Sequence, residues 1–226
     1  FSNAVELGFR AVKMELMFDD LLTDRQLVEA IKEGRRMLGD DIVMMLDFAY
    51  RWRDWQAARW VLNRIESCNI FFAEATLQHD DLIDHAALQA QGETPICLDE
   101  SMTSPRRAEQ AIAMQSCRYV NIKPGRIGGL ANAIAVHDLC QNEGIPVWVG
   151  GMLESALGVS LCVELATLPN FTYPGDIFPS SSFKQELADP PVEITSRNTF
   201  QPSTGPLPIP DPERLARQTI RSKLVL

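Results

Sequence analysis

No stretch of this sequence approaches the ~20 apolar residues that a membrane-spanning helix needs, and nothing resembling a signal peptide stands ahead of Val5. Those absences predict a protein without membrane partners, working in the cytoplasm. Positive charge is also scarce. Lys and Arg number 21 against 30 Asp and Glu, leaving a net charge of -9, which speaks against a nucleic-acid partner because such a surface needs a basic face. Only three histidines occur, His79, His85 and His137, and they are scattered. The five cysteines (Cys68, Cys97, Cys117, Cys140 and Cys162) are odd in number, widely spaced and mostly within apolar stretches. With no CxxC spacing, they read as reduced, buried thiols rather than zinc ligands or a disulfide framework. There is no internal sequence repeat.

What is present is an ordinary globular composition, 46% hydrophobic and 23% charged, with 14 prolines spread between elements. The length suits one domain of the larger α/β kind. Ser2 to Gly8 reads as the end of a helix with Gly8 as its C-cap. Phe9 to Leu16 then alternates as a first strand. Thr23 to Leu38 is an amphipathic helix capped by Thr23 or Asp24. Ile42 to Leu46 is a continuous apolar run, as expected of a buried parallel strand. Asp54–Ile65, Asp80–Gln91, Ser104–Gln115, Leu130–Glu143 and Leu157–Thr167 follow as helices. Strands at Asn69–Ala73, Ile96–Leu98, Arg118–Ile122 and Pro146–Val149 stand between them, with a weak one near Phe171–Tyr173. A βα rhythm of about thirty residues reads as a parallel α/β fold, and seven strands in that rhythm suit a barrel better than an open sheet. From Pro179 the chain is rich in Pro, Ser and Asp, with one terminal helix near Glu213–Arg221. The expected division is a barrel over 1–178 and a wrapping segment over 179–226.

Strand ends carry the chemistry, because in a closed parallel barrel they converge on one mouth. Asp47, Glu74 and Asp99 each follow directly on a buried strand, one βα unit apart. Each could simply cap the helix that follows. Three in consecutive units are better explained as a group of hard oxygen ligands whose mutual repulsion a cation such as Mg²⁺ relieves. Lys123 ends the next strand. Desolvated beside a metal ion, a lysine has its pKa lowered toward neutrality, which fits a general base. Lys13 and Glu15, two apart, share one strand face and form either a rim ion pair or part of the site. Glu154 binds substrate or pairs with a lysine, and Met152 and Met102 read as packing residues. His79, in the loop after Glu74, is within reach of the mouth, whereas His85 and His137 fall in helical pattern.

Phe72-Ala73-Glu74, Leu98-Asp99-Glu100-Ser101, Asn121-Ile122-Lys123-Pro124-Gly125-Arg126-Ile127-Gly128-Gly129 and Gly150-Gly151-Met152-Leu153-Glu154-Ser155 resemble the enolase superfamily, and within it the muconate-lactonizing-enzyme subgroup. Leu168-Pro169-Asn170-Phe171-Thr172-Tyr173-Pro174-Gly175-Asp176-Ile177 is similar to a motif of o-succinylbenzoate synthases and N-succinylamino acid racemases. The match is dense from about Pro95 to Pro191. The first half, with Phe48 to Trp52 and Ala75 to Asp81, leans toward mandelate-racemase-like members.

The resemblance implies an enolase-type (β/α) barrel from strand two to strand eight, without the capping domain and first barrel strand. It implies Asp47, Glu74 and Asp99 as Mg²⁺ ligands and Lys123 as the acid/base lysine, with Lys13 and Glu15 as further catalytic candidates. Glu100 would support the metal ligands, while Gly151, Met152 and Glu154 would line the substrate edge. The implied reaction removes a proton α to a carboxylate of a small-molecule substrate, in a homo-oligomeric enzyme. The alternatives are an acid-sugar dehydratase or epimerase, and a catalytically silent chain that keeps the fold. Two departures matter. The family's second-strand Lys-x-Lys is here Lys13-Met14-Glu15, and Ala49 stands where an asparagine usually follows the first metal ligand.

Overall fold

The computed structural model describes residues 2–16, 22–182, 186–188 and 190–219. A short helix α1 (Ser2–Glu6) ends at Gly8, whose φ of 79° is the left-handed conformation glycine adopts without strain. Six strands follow: β1 (Ala11–Glu15), β2 (Val43–Asp47), β3 (Ile70–Glu74), β4 (Ile96–Leu98), β5 (Tyr119–Ile122) and β6 (Val147–Val149). They pair in parallel in sequence order, so the sheet curls as successive strands are added. Between them run α2 (Asp24–Leu38), α3 (Trp55–Ile65), α4 (Leu82–Ala90), α5 (Pro105–Ala113), α6 (Pro124–Ile127) and α7 (Leu130–Asn142). After β6 come α8 (Ala156–Leu165) and α9 (Pro212–Gln218). Among the described residues no helix is long and apolar enough to cross a membrane.

Helix starts follow from local chemistry. Thr23 and Gln26 form a reciprocal capping box on α2, while Asp54, Asp81 and Ser104 accept N-terminal amides of α3, α4 and α5. The turn expected at Pro124 is one turn of helix, α6, ended by Gly128 at φ 94°.

The apolar residues divide between two cores. The larger joins the outer face of the sheet, including Met44, Leu46 and Ile96, to buried helix positions such as Leu27, Ile31, Val61, Ile65 and Val136. The smaller is aromatic and lies inside the curl: Phe72, Cys97 and Trp148, with Met45, Phe71, Tyr119 and Tyr173 against them. A register shift between β2 and β3 lets both Phe71 and Phe72 join this inner group. Side chains alternate along a strand, so the residue two places further on faces the same way. Above Met45, Phe72, Cys97 and Tyr119 therefore stand Asp47, Glu74, Asp99 and Asn121.

The expected seventh strand is not a strand. It consists of two isolated bridges, Phe171 to Val147 and Asp176 to Gly150. Pro174 lies between them, and without an N–H it cannot extend a ladder. Further along, Glu186 accepts the Ala156 amide at 3.0 Å and Glu164 accepts the Ser203 amide at 2.5 Å, so this part of the chain lies against α8. The terminal helix ends at Gln218, and the part expected beyond Thr219 lies outside the described residues.

Candidate active site

At the C-terminal ends of the strands, the acids are held in two clusters. In the first, Lys13 Nζ lies 3.7 Å from Asp47, 3.4 Å from Glu74 and 2.9 Å from Asp176. In the second, Lys123 Nζ is 2.8 Å from Asp99, and Arg126 contacts both Asp99 and Glu100. Asn121 joins them. It is wholly buried, donates to Glu74 Oε1 at 2.7 Å, and leaves its Oδ1 without a partner.

This concentration of charge is costly. Burial raises the Glu74 carboxyl to about 8, and Asp47 and Asp99 add to the rise against the pull of Lys13 and Asn121. Burial also raises Asp47 and Asp99 above their ordinary value; Asp99 and Glu15 reinforce the first, and Glu100 the second. For Lys13, burial acts to lower the pKa, but Glu74, Asp176 and Asp47 more than reverse it. The ammonium form of Lys13 is thus strongly held. The backbone is strained here too. Ala49, Tyr50 and Ala75, just beyond Asp47 and Glu74, have φ of 48°, 61° and 46°, conformations that cost a non-glycine residue about 1–2 kcal/mol. Such strain concentrates at functional sites.

As placed, no three Asp, Glu, His or Cys side chains among the described residues stand together ready to hold a metal ion. Lys13, Lys123 and Arg126 supply the positive charge instead. The donor set nonetheless fits a small divalent cation. It offers hard carboxylate oxygens on three consecutive strands, whose proton affinity is raised first by burial and then by neighbouring acids, and Asn121 Oδ1 is a buried acceptor without a partner on the next strand.

The remaining candidates divide. Glu15 sits exposed at the end of β1, and the rim ion pair with Lys13 is not formed, because Lys13 turns to the other acids. Glu154 folds back to accept the Met152 amide at 2.5 Å, and burial raises its pKa. Met152 is half exposed, with its sulfur 3.9 Å from Arg126. Gly151 donates its amide to the Asp176 carbonyl at 2.6 Å. His79 packs edge-on to Tyr50, with ring centroids 5.8 Å apart. His85 is a satisfied core residue, accepting the Leu77 amide and bonded to the Asp81 carbonyl. His137 is buried and stacked on Phe171. All five thiols are free and buried.

Sequence reasoning did not single out Asn121, Arg126, Asp176 or Tyr50, which hydrogen-bonds Glu100. Signals for three existed. Asn121 shares a strand face with Lys123, Arg126 lies one turn beyond it, and Asp176 follows a strand-like run as the other acids do.

Residues 2–206 match the model of the enolase C-terminal domain-like family. The chain belongs to that family. It is 42% identical over 193 residues to an o-succinylbenzoate synthase of Geobacillus stearothermophilus, an alignment covering 84% of this chain and 48% of that protein. It is 41% identical over 184 residues to an N-succinylamino acid racemase of an Amycolatopsis species, covering 81% and 47%. The chain thus spans about half the length of the curated relatives it matches. Among solved structures, a dipeptide epimerase from Cytophaga hutchinsonii, complexed with Mg and the dipeptide D-Ala-L-Val, aligns with a TM-score of 0.83. That alignment covers 96% of this chain and 58% of the epimerase at 23% identity, a likeness of fold.

Proposed function

We propose that this enolase-type chain moves a proton at the carbon α to a carboxylate, as part of an enzyme of the o-succinylbenzoate synthase and N-succinylamino acid racemase kind. The observation that carries the reading is Lys123, a nearly buried amine 2.8 Å from Asp99 in a mouth lined by acids from three consecutive strands. The two curated relatives, which carry those activities in their names, support it.

Asp47, Glu74 and Asp99 would hold Mg²⁺. When bound, the ion supplies positive charge to the substrate carboxylate and so to the enediolate that proton loss creates. Lys123 Nζ, once neutral, takes the α proton, and as an ammonium it returns a proton to the same face. Asp99, itself held by Arg126, orients that amine. Asn121 holds Glu74 in place, and the aromatic layer below keeps water out of the floor of the site.

A second reading has its own support. The resemblance puts a lysine on the opposite face at position 15, where this chain has an exposed glutamate. Two-sided proton transfer is then impaired, and the chain retains one-sided exchange or none. The test is proton NMR in D₂O with Mg²⁺ and each enantiomer of an N-succinylamino acid. The expected result is loss of the α-proton signal from one enantiomer, abolished in Lys123→Ala. Exchange that persists in that variant removes Lys123 as the base, and no exchange with either enantiomer leaves the silent reading standing.

A further inference from the structure

β1 and β6 are the two edges of the described sheet, yet one ion pair reaches across between them. Asp176 is mounted on the β6 side. Its amide donates to the Val149 carbonyl at 2.9 Å, and its carbonyl accepts the Gly151 amide at 2.6 Å. A Cβ on Gly151 would lie 2.5 Å from that carbonyl, so the mount requires glycine. From this position the Asp176 carboxylate meets Lys13 of β1 at 2.9 Å, closer than Glu74 at 3.4 Å or Asp47 at 3.7 Å. A second β6-side group draws the lysine the same way, since Nζ also sits 5.0 Å from the centroid of the Trp148 ring, over its face.

Lys13 therefore has three carboxylates to choose from and stands nearest the one outside the strand-end set. We infer that Asp176 is a positioning residue that holds the Lys13 ammonium toward the β6 edge and keeps it from settling on Asp47 and Glu74. This rests on the reading that those two acids hold a divalent cation. An ammonium resting fully on them would compete with the cation for the same oxygens and repel it. With Asp176 as its anchor, Lys13 yields those oxygens and still contributes positive charge at the mouth.

The experiment compares the unmodified chain with Asp176→Asn, Lys13→Met and the double variant. Mg²⁺ affinity is measured by calorimetry, and thermal melting without metal confirms folding and gives the coupling of the two residues. Asp176→Asn is expected to weaken Mg²⁺ binding about tenfold, the scale of losing a group that orients a ligand. Lys13→Met should bind at least as tightly as the unmodified chain, and the double variant should return to within a few-fold of Lys13→Met. The two effects on melting should be non-additive. A merely structural Asp176 gives no rescue by Lys13→Met. That result, or unchanged affinity in Asp176→Asn, overturns the inference while leaving the metal site intact. No Mg²⁺ uptake by the unmodified chain overturns both the metal reading and the role given to Asp176.

Discussion

A Cβ placed on Gly150 would lie 2.2 Å from Asn121 Oδ1 and 2.5 Å from Lys123 Cε, so the glycine after β6 makes room for the side chains of β5. Both occupants matter to the site, one holding Glu74 and the other paired with Asp99. Gly150→Ala should displace them together. Overpacking of this kind costs roughly 1–3 kcal/mol, and Mg²⁺ affinity should fall with stability. Urea denaturation and calorimetry check this, and an alanine variant with unchanged stability and affinity would show that Asn121 and Lys123 can move aside freely.

Arg35 carries a different kind of weight. Its guanidinium is buried and donates to the carbonyls of Cys68, Gly39 and Ile42, each at 2.7 Å, tying α2 to the segments that enter β2 and β3. Arg35→Ala leaves those carbonyls unsatisfied at ~1–3 kcal/mol each when buried, so a loss of about 3 kcal/mol is expected. Lysine at this position has no planar fork and should recover only part of it. The midpoint of urea unfolding is the measurement, and a shift worth under about 1 kcal/mol would contradict the role.

The raised Glu74 carboxyl sets a pH dependence. Its ordinary value is 4.5 and its folded value is about 8. The folded state therefore holds a proton that the unfolded chain releases, and stability from this group is full below about pH 4.5 and lost as pH rises through about 8. Without metal, the melting temperature should fall over that window, and Glu74→Gln should flatten the fall. Binding a cation must displace the proton, so Mg²⁺ affinity should rise with pH over the same range. Proton release during calorimetry, followed in buffers of different ionisation enthalpy, tests it; no release at pH 7 would place the Glu74 value well below.

Glu15 is the residue whose replacement should add function. A lysine there restores a cation on the β1 face opposite Lys123, and exchange of the second enantiomer should rise above that of the unmodified chain. Equal, rapid exchange of both enantiomers by the unmodified chain would instead make Glu15 a competent base.

Most of the fold was legible from local pattern. The six strands fall where the apolar runs place them, and the helices other than α6 begin at or within two residues of their expected starts, because burial period and capping chemistry are properties of adjacent residues. The weak last strand was misjudged. Phe171 to Tyr173 has the composition of a strand, but Pro174 and Gly175 leave only single bridges on either side. The candidate site was half legible. Asp47, Glu74, Asp99 and Lys123 were marked by their place at strand ends, whereas Asn121 carried only the weaker signal of sharing a strand face with Lys123.

What the sequence alone determined was the parallel order of the sheet and the strand end at which each of Asp47, Glu74 and Asp99 stands, since the βα rhythm places one acid directly after each apolar run. Only the tertiary structure decided which charge answers which. Lys13 turns from Glu15, its neighbour in sequence, to Asp176 across the sheet opening, and Asn121 spends its amide on a carboxylate two strands away. Charges and hydrogen bonds act through space, in proportion to separation and burial, and neither is known until the strands have closed on one another.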